Sequence, residues 1–111
     1  MNVNAMVESL KEKVEQVIWD EKEKDVYSSV SALVIREMKY RIYPGVIWDL
    51  QAWARSKAEE YSKDELRVDD IILELKKNVA DQDHNVSLQK LSKHYKEIAE
   101  RYRIAARACN D

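Results

Sequence analysis

Three side chains in this sequence have the chemistry to ligate a metal or pass a proton: His84, His94 and Cys109. A dinuclear iron site in a helical bundle needs Glu-x-x-His pairs, so that carboxylate and imidazole project from one helix face. The residue three before His94 is Leu91, and Asp81 before His84 has no second such pair to face. A zinc site would have to recruit Cys109 from the far end of the chain, at a spacing unlike the structural zinc motifs. Nucleophilic catalysis finds no better footing. None of the serines stands in a strained Gly-x-Ser-x-Gly turn, and no glycine-rich loop exists to cradle a phosphate. Small helical ribonucleases place an arginine a few residues before a histidine, whereas Arg101, Arg103 and Arg107 all follow His94. The carboxylates are numerous, but abundance is not a pair with divergent pKa values. Their spacing suits helix-surface pairing at i, i+4. The expectation is a non-enzymatic protein with no metal and no cofactor.

The elements that would position any such residues are helices. Val3, Met6, Val7, Leu10, Val14, Val17 and Ile18 recur in steps of three and four, and Glu8, Lys11, Glu12 and Glu15 fill the opposite face. Val26, Val30, Leu33, Val34, Met38 and Ile42 form a second stripe, stopped before Pro44 because proline disfavours helical geometry at Tyr43. Gly45 then frees the backbone to turn. A third helix runs from Val46 to about Tyr61. Ser62-Lys63-Asp64-Glu65 has the form of a capping box, so a fourth helix is expected from about residue 63, or after Arg67, carrying Val68, Ile71, Ile72, Leu75 and Val79. Ala80 to Asn85 reads as a loop. The last helix carries Leu88, Leu91, Tyr95, Ile98, Tyr102 and Ala105, a narrow coiled-coil type of seam. The fold class is all-α: about five amphipathic helices, as a bundle or as a wrap around a partner helix, in a single domain over residues 1–111.

Composition narrows the function classes. Gly and Pro occur once each in 111 residues, too few for the turns a β fold needs. Charged residues make up 36 % of the chain, yet the net charge is only −2. Acid and base are interleaved, as in the run from Asp20 to Asp25, which reads as a solvated linker. No clustered basic excess marks direct nucleic-acid binding, and no apolar run approaches the length that crosses a bilayer. The amino terminus lacks the pattern of a signal peptide, and a lone cysteine suits a reducing, intracellular compartment.

What remains is protein binding. Three Trp and six Tyr stand in a chain with no Phe, and both types are enriched at interfaces as well as at the edges of cores. Five amphipathic helices present more apolar stripe than a small core easily conceals. A groove that accepts a long amphipathic helix of a protein partner would complete the burial, and a homo-oligomer would do the same. The candidate partner-binding positions are Val14, Val17, Ile18, Trp48, Leu50, Leu91, Tyr95 and Ile98; periodicity alone does not divide them between core and interface.

The order of the elements also resembles the enhancer-of-yellow family, the small subunit shared by the SAGA deubiquitinase module and the nuclear-pore mRNA-export complex. The resemblance covers about residues 10–103. It is carried by Leu10 to Ile18 as a first helix, the charged link Glu21 to Lys24, and Val30 to Ile42 as a second. Gly45 and Trp48 follow, then Val68-Asp69-Asp70-Ile71-Ile72-Leu73-Glu74-Leu75, and a closing helix from Val86 to Tyr102. Two residues intervene between Gly45 and Trp48 where the family has none, Pro44 is foreign to it, and Arg67 stands where a threonine would cap a helix. The resemblance implies a string of helices wrapped around one scaffold helix, no active site, a role in transcription regulation and mRNA export, and a nuclear location. Without it, a cytoplasmic location and a viral or bacterial helical inhibitor or immunity protein fit the same pattern. Leu66-Arg67-Val68-Asp69-Asp70 also resembles the loop and third helix of a histone-fold dimerising subunit, although Pro44 and Gly45 interrupt where that fold's long central helix would run.

Overall fold

The structure, a computed structural model, describes the backbone of residues 3–40, 44–76 and 82–109, and the side chains of residues 5–36, 45–75 and 86–109. Ile42 and Val79, assigned above to apolar faces, and the side chains of Val3, Met38 and His84 lie outside the described residues. Four helices follow in chain order: α1 Val3–Ile18, α2 Val26–Tyr40, α3 Pro44–Lys76 and α4 Gln82–Ala108. The described residues are all-α, with four helices rather than about five.

The difference lies in α3, whose 33 residues absorb the expected third and fourth helices. Ala54, Ala58, Tyr61, Glu65, Val68, Ile72 and Leu75 step by four and three without a break of phase, so the inward face continues through residues 62–67. Nothing between Ser62 and Arg67 is a helix breaker, and Arg67 pairs with Asp64 at 3.3 Å one turn back. The S-x-x-E motif is therefore mid-helix, and Ser62 accepts a hydrogen bond from Arg103 of α4 instead of capping. Pro44 opens α3 rather than preceding it, a position where the missing N–H costs nothing. Gly45 lies within that first turn and has no positive φ. At the other end Gln82 to Asn85 belong to α4, not to a loop.

Helices α3 and α4 run antiparallel, as the contacts of Asp69 with Ser92, Ser62 with Arg103 and Gln51 with the carbonyl of Ala106 require. Alanines at 54, 58, 99, 105 and 106 are all buried and let the two backbones approach closely. Helices α1 and α2 cover only one end of this pair. There, Val7, Leu10, Val14 and Ile18 of α1 and Val26, Val30 and Val34 of α2 meet Val46 and Leu50 of α3 and Ile98, Tyr102 and Ala105 of α4. Tyr102 is the largest fully buried side chain. Its ring stacks on Tyr61 at 5.7 Å and takes Trp53 edge-on at 5.6 Å.

The result is a four-helix bundle with a two-helix extension, 59 Å long and 24 × 21 Å across. Its radius of gyration is 17.3 Å, against about 13 Å for a compact domain of this length.

A proline at position 63 separates the one-helix from the two-helix description. At the first turn of a capped helix, Lys63→Pro would be tolerated. Inside a continuous helix it costs about 3 kcal/mol or more. Urea unfolding of Lys63→Pro is expected to show the larger loss, and near-native stability would mean that α3 breaks near residue 62.

Candidate functional site

The point where α1 ends determines what the α3–α4 pair leaves open. Arg101 of α4 reaches across and donates from Nη1 to the carbonyls of Ile18 and Asp20 at 2.8 and 3.1 Å, and from Nη2 to that of Glu23 at 2.7 Å. The Ile18 carbonyl is one that the end of a helix leaves without an intrahelical partner, and those of Asp20 and Glu23 belong to the turn that follows α1. The rest of the connection is tied by its own carboxylates. Asp20 accepts from the Lys22 amide, Glu23 from the Asp25 amide and the Ser29 hydroxyl, and Asp25 from the Ser28 amide as the cap of α2. That last bond holds the Asp25 carboxyl below its ordinary pKa. The charged run read as a solvated linker is thus a hydrogen-bonded turn clamped by one arginine.

Trp19 follows immediately and closes the covered region. Its ring lies edge-on to Tyr61 and tilted against His94, both at 5.9 Å. Beyond Trp19 the groove between α3 and α4 continues without α1. On α4, Ile98 is buried beside Ile18 and Trp19. Leu91, one heptad earlier on the same line, is 38 % exposed. On α3, Leu50, Lys57, Asp64 and Ile71 follow at seven-residue intervals. They pass from fully buried, through half-buried, to 49 % exposed at Ile71. Half-buried Leu75, Leu88 and Tyr95 line the floor. This open half of the groove is the candidate site.

The sequence candidates divide accordingly. Val14, Ile18, Leu50 and Ile98 are buried in the core, and Val17 packs against it at the edge of a cleft between α1 and α2. Leu91 and Tyr95 lie in the open groove. Trp48 is exposed but stands two residues before Leu50, about 200° around α3, and so faces away from both core and groove. Sequence reasoning missed Arg101 as the clamp, and it missed the separation of Ile71, at the groove's rim, from its buried neighbour Ile72.

The remaining chemical candidates are not assembled. His94 is exposed on α4 against Trp19 and Tyr95, while Cys109 is buried in the core cluster at the bundle end. Among the described residues no three His, Cys, Asp or Glu side chains come together as metal ligands. Nor, among them, is any helix long and apolar enough to cross a membrane. Neither a family model, nor a curated protein, nor a solved structure matches the chain.

Burial pushes the Cys109 thiol up to about 11 and the Tyr102 phenol up to about 12. Each group holds its proton more tightly in the folded chain, so the unfolded chain releases it first as pH rises. The stability this gives is complete below the unfolded values of 9.0 and 10.0 and is lost as pH climbs toward 11 and 12. The urea midpoint should therefore fall progressively above pH 9, and Cys109→Ala should remove the earlier part of that fall. An unchanged profile in Cys109→Ala would show that the thiol titrates normally.

Proposed function

We propose that this chain is a non-enzymatic protein-binding adaptor whose binding surface is the open half of the α3–α4 groove, and that its ligand is an amphipathic helix of a partner protein. The observation that carries this is continuity: the same groove already seats one amphipathic helix, α1, along its bundle end. A partner helix would continue the line of α1 beyond Trp19, setting its apolar face on Ile71, Leu75, Leu88, Leu91 and Tyr95. The uncovered length from Tyr61 to Leu75 is about 20 Å at 1.5 Å per residue, enough for roughly four turns of a bound helix. Burial of this kind is apolar, directional along the groove and little dependent on charge.

The narrower form of the proposal follows the sequence resemblance: a shared subunit of transcription-coactivator and mRNA-export complexes, working in the nucleus and holding a scaffold helix. The motif Val68 to Leu75, on which part of that resemblance rests, contributes Ile71 and Leu75 to the groove. That gives the motif a binding role in this reading.

Affinity capture with the full chain as bait, compared with Ile71→Lys/Leu91→Lys, tests the proposal. A specific partner should be retained by the first and lost by the second, with melting temperature unchanged because both positions are exposed. Calorimetry with the recovered helix should give a negative heat-capacity change and only slight weakening between low and physiological salt. Tyr95→Ala should weaken binding by about tenfold or more if its ring is an anchor, whereas Trp48→Ala should not. A partner that binds the groove variant as well as the native chain, and dissociates with added salt, would overturn the assignment.

A further inference from the structure

The side of α3 turned away from α1 carries a second feature that the groove does not explain. Trp48, Leu66 and Leu73 are 69, 63 and 59 % exposed. They are 18 and 7 residues apart, about five and two helical turns, so all three stand on one line of the helix. Leu66 lies two residues before buried Val68, and Leu73 is next to buried Ile72; the line therefore points outward. Between and beside these residues, on the same stripe, come exposed Arg55, Glu59, Lys63 and Asp70. Among the described residues none of these four charges forms an ion pair. Neighbouring Lys57 pairs with Glu60, and Asp64 with Arg67.

The order of this stripe is complementary to its own reverse. When one copy of α3 is laid antiparallel on another, with a two-fold axis at the level of Tyr61, Glu59 meets Lys63 of the second copy. Trp48 comes opposite Leu73, and Arg55 lies between Leu66 and Asp70. Each of these contacts occurs twice, as a two-fold interface requires. A parallel arrangement in register would instead set Glu59 on Glu59 and Lys63 on Lys63. We infer that the outer line of α3 is a homodimer interface, on which a second copy of this chain packs antiparallel through Trp48, Leu66 and Leu73 with Glu59–Lys63 pairs at the axis. The stripe lies opposite the buried face of α3, and at its edge Arg55 also borders α4 beside Glu100, Arg103 and Arg107.

The strip from Trp48 to Leu73 is about 37 Å long and one helix wide, at the small end of specific interfaces. The dimer accordingly forms and dissociates with concentration, with a dissociation constant on the order of 1–100 µM. Its polar pairs fix direction and register more than they add affinity.

Sedimentation velocity of the full chain across that range tests the inference, with thermal melting as the control for folding. The native chain should pass from monomer to dimer. Leu66→Lys/Leu73→Lys should remain monomeric, and the groove variant Ile71→Lys/Leu91→Lys should dimerise normally. Glu59→Lys and Lys63→Glu, each alone, place like charges opposite one another and should raise the dissociation constant about fivefold to tenfold. The double exchange Glu59→Lys/Lys63→Glu should restore it. A native chain that stays monomeric at about 200 µM, a dimer lost in the groove variant but kept in Leu66→Lys/Leu73→Lys, or a double exchange no better than the single ones would each overturn it. The groove assignment is read from partner capture, so either result stands without the other.

Discussion

Helices of 16 and 15 residues cannot cover a pair of 33 and 27 residues along its length. At 1.5 Å per residue, α1 spans about 24 Å and α3 about 50 Å. One heptad register runs through both helices, so the groove between α3 and α4 carries apolar side chains at both ends, with Lys57, Asp64 and Glu65 of α3 between them. Covering it at one end therefore leaves it open at the other. Arg101 fixes where the cover stops, because its guanidinium holds the terminal carbonyls of α1 and the turn that reverses the chain into α2. Tryptophan at position 19 then closes the bundle against Tyr61 and His94. Core, groove and overall length all follow from this mismatch.

Several of these features were legible in the residues. The seam of α4 was in large part, since Ile98, Tyr102 and Ala105 are buried and Leu88 and Tyr95 half-buried, whereas Leu91 of the same seam is exposed. So was the face of α1, where steps of three and four select Met6, Val7, Leu10, Val14 and Ile18, all buried. The continuity of α3 was not legible, and the reason is local. Between Tyr61 and Val68 the inward positions are Tyr61, Glu65 and Val68, so the hydrophobic signal fades where a carboxylate occupies the seam. The one leucine in that stretch, Leu66, points outward. A capping-box pattern falls at the same place, and two local signals then agreed on a break that the long-range pairing with α4 overrides.

The candidate site was legible only as a set of residues and not as a place. Val14, Ile18, Leu50 and Ile98 have the same character as Leu91 and Ile71. Whether each is covered depends on which half of α3 and α4 it occupies relative to the end of α1. No periodicity encodes that, because it is a relation between helix lengths and not a property of any one helix. Arg101 escaped notice for a related reason. Its partners are backbone carbonyls about eighty positions earlier in the chain, and backbone acceptors leave no mark in a sequence.

The same asymmetry sets where the molecule is firm and where it is receptive. At the bundle end, side chains from four helices converge on Tyr102 and the buried alanines, so opening there exposes the whole core. In the extension two helices bury little more than Val68 and Ile72 against each other, and a single helix pair is marginal by itself in water. The extension holds its shape because its helices propagate from turns already fixed in the bundle, and the free energy of local opening should decline toward its tip. A ligand that covers apolar surface there stabilises the folded form by its own binding free energy. The extension is thus the part of the chain with the most to gain from a partner. The bundle fixes the inner turns of both helices, so a helix docking on the proposed groove would meet a surface that is already folded.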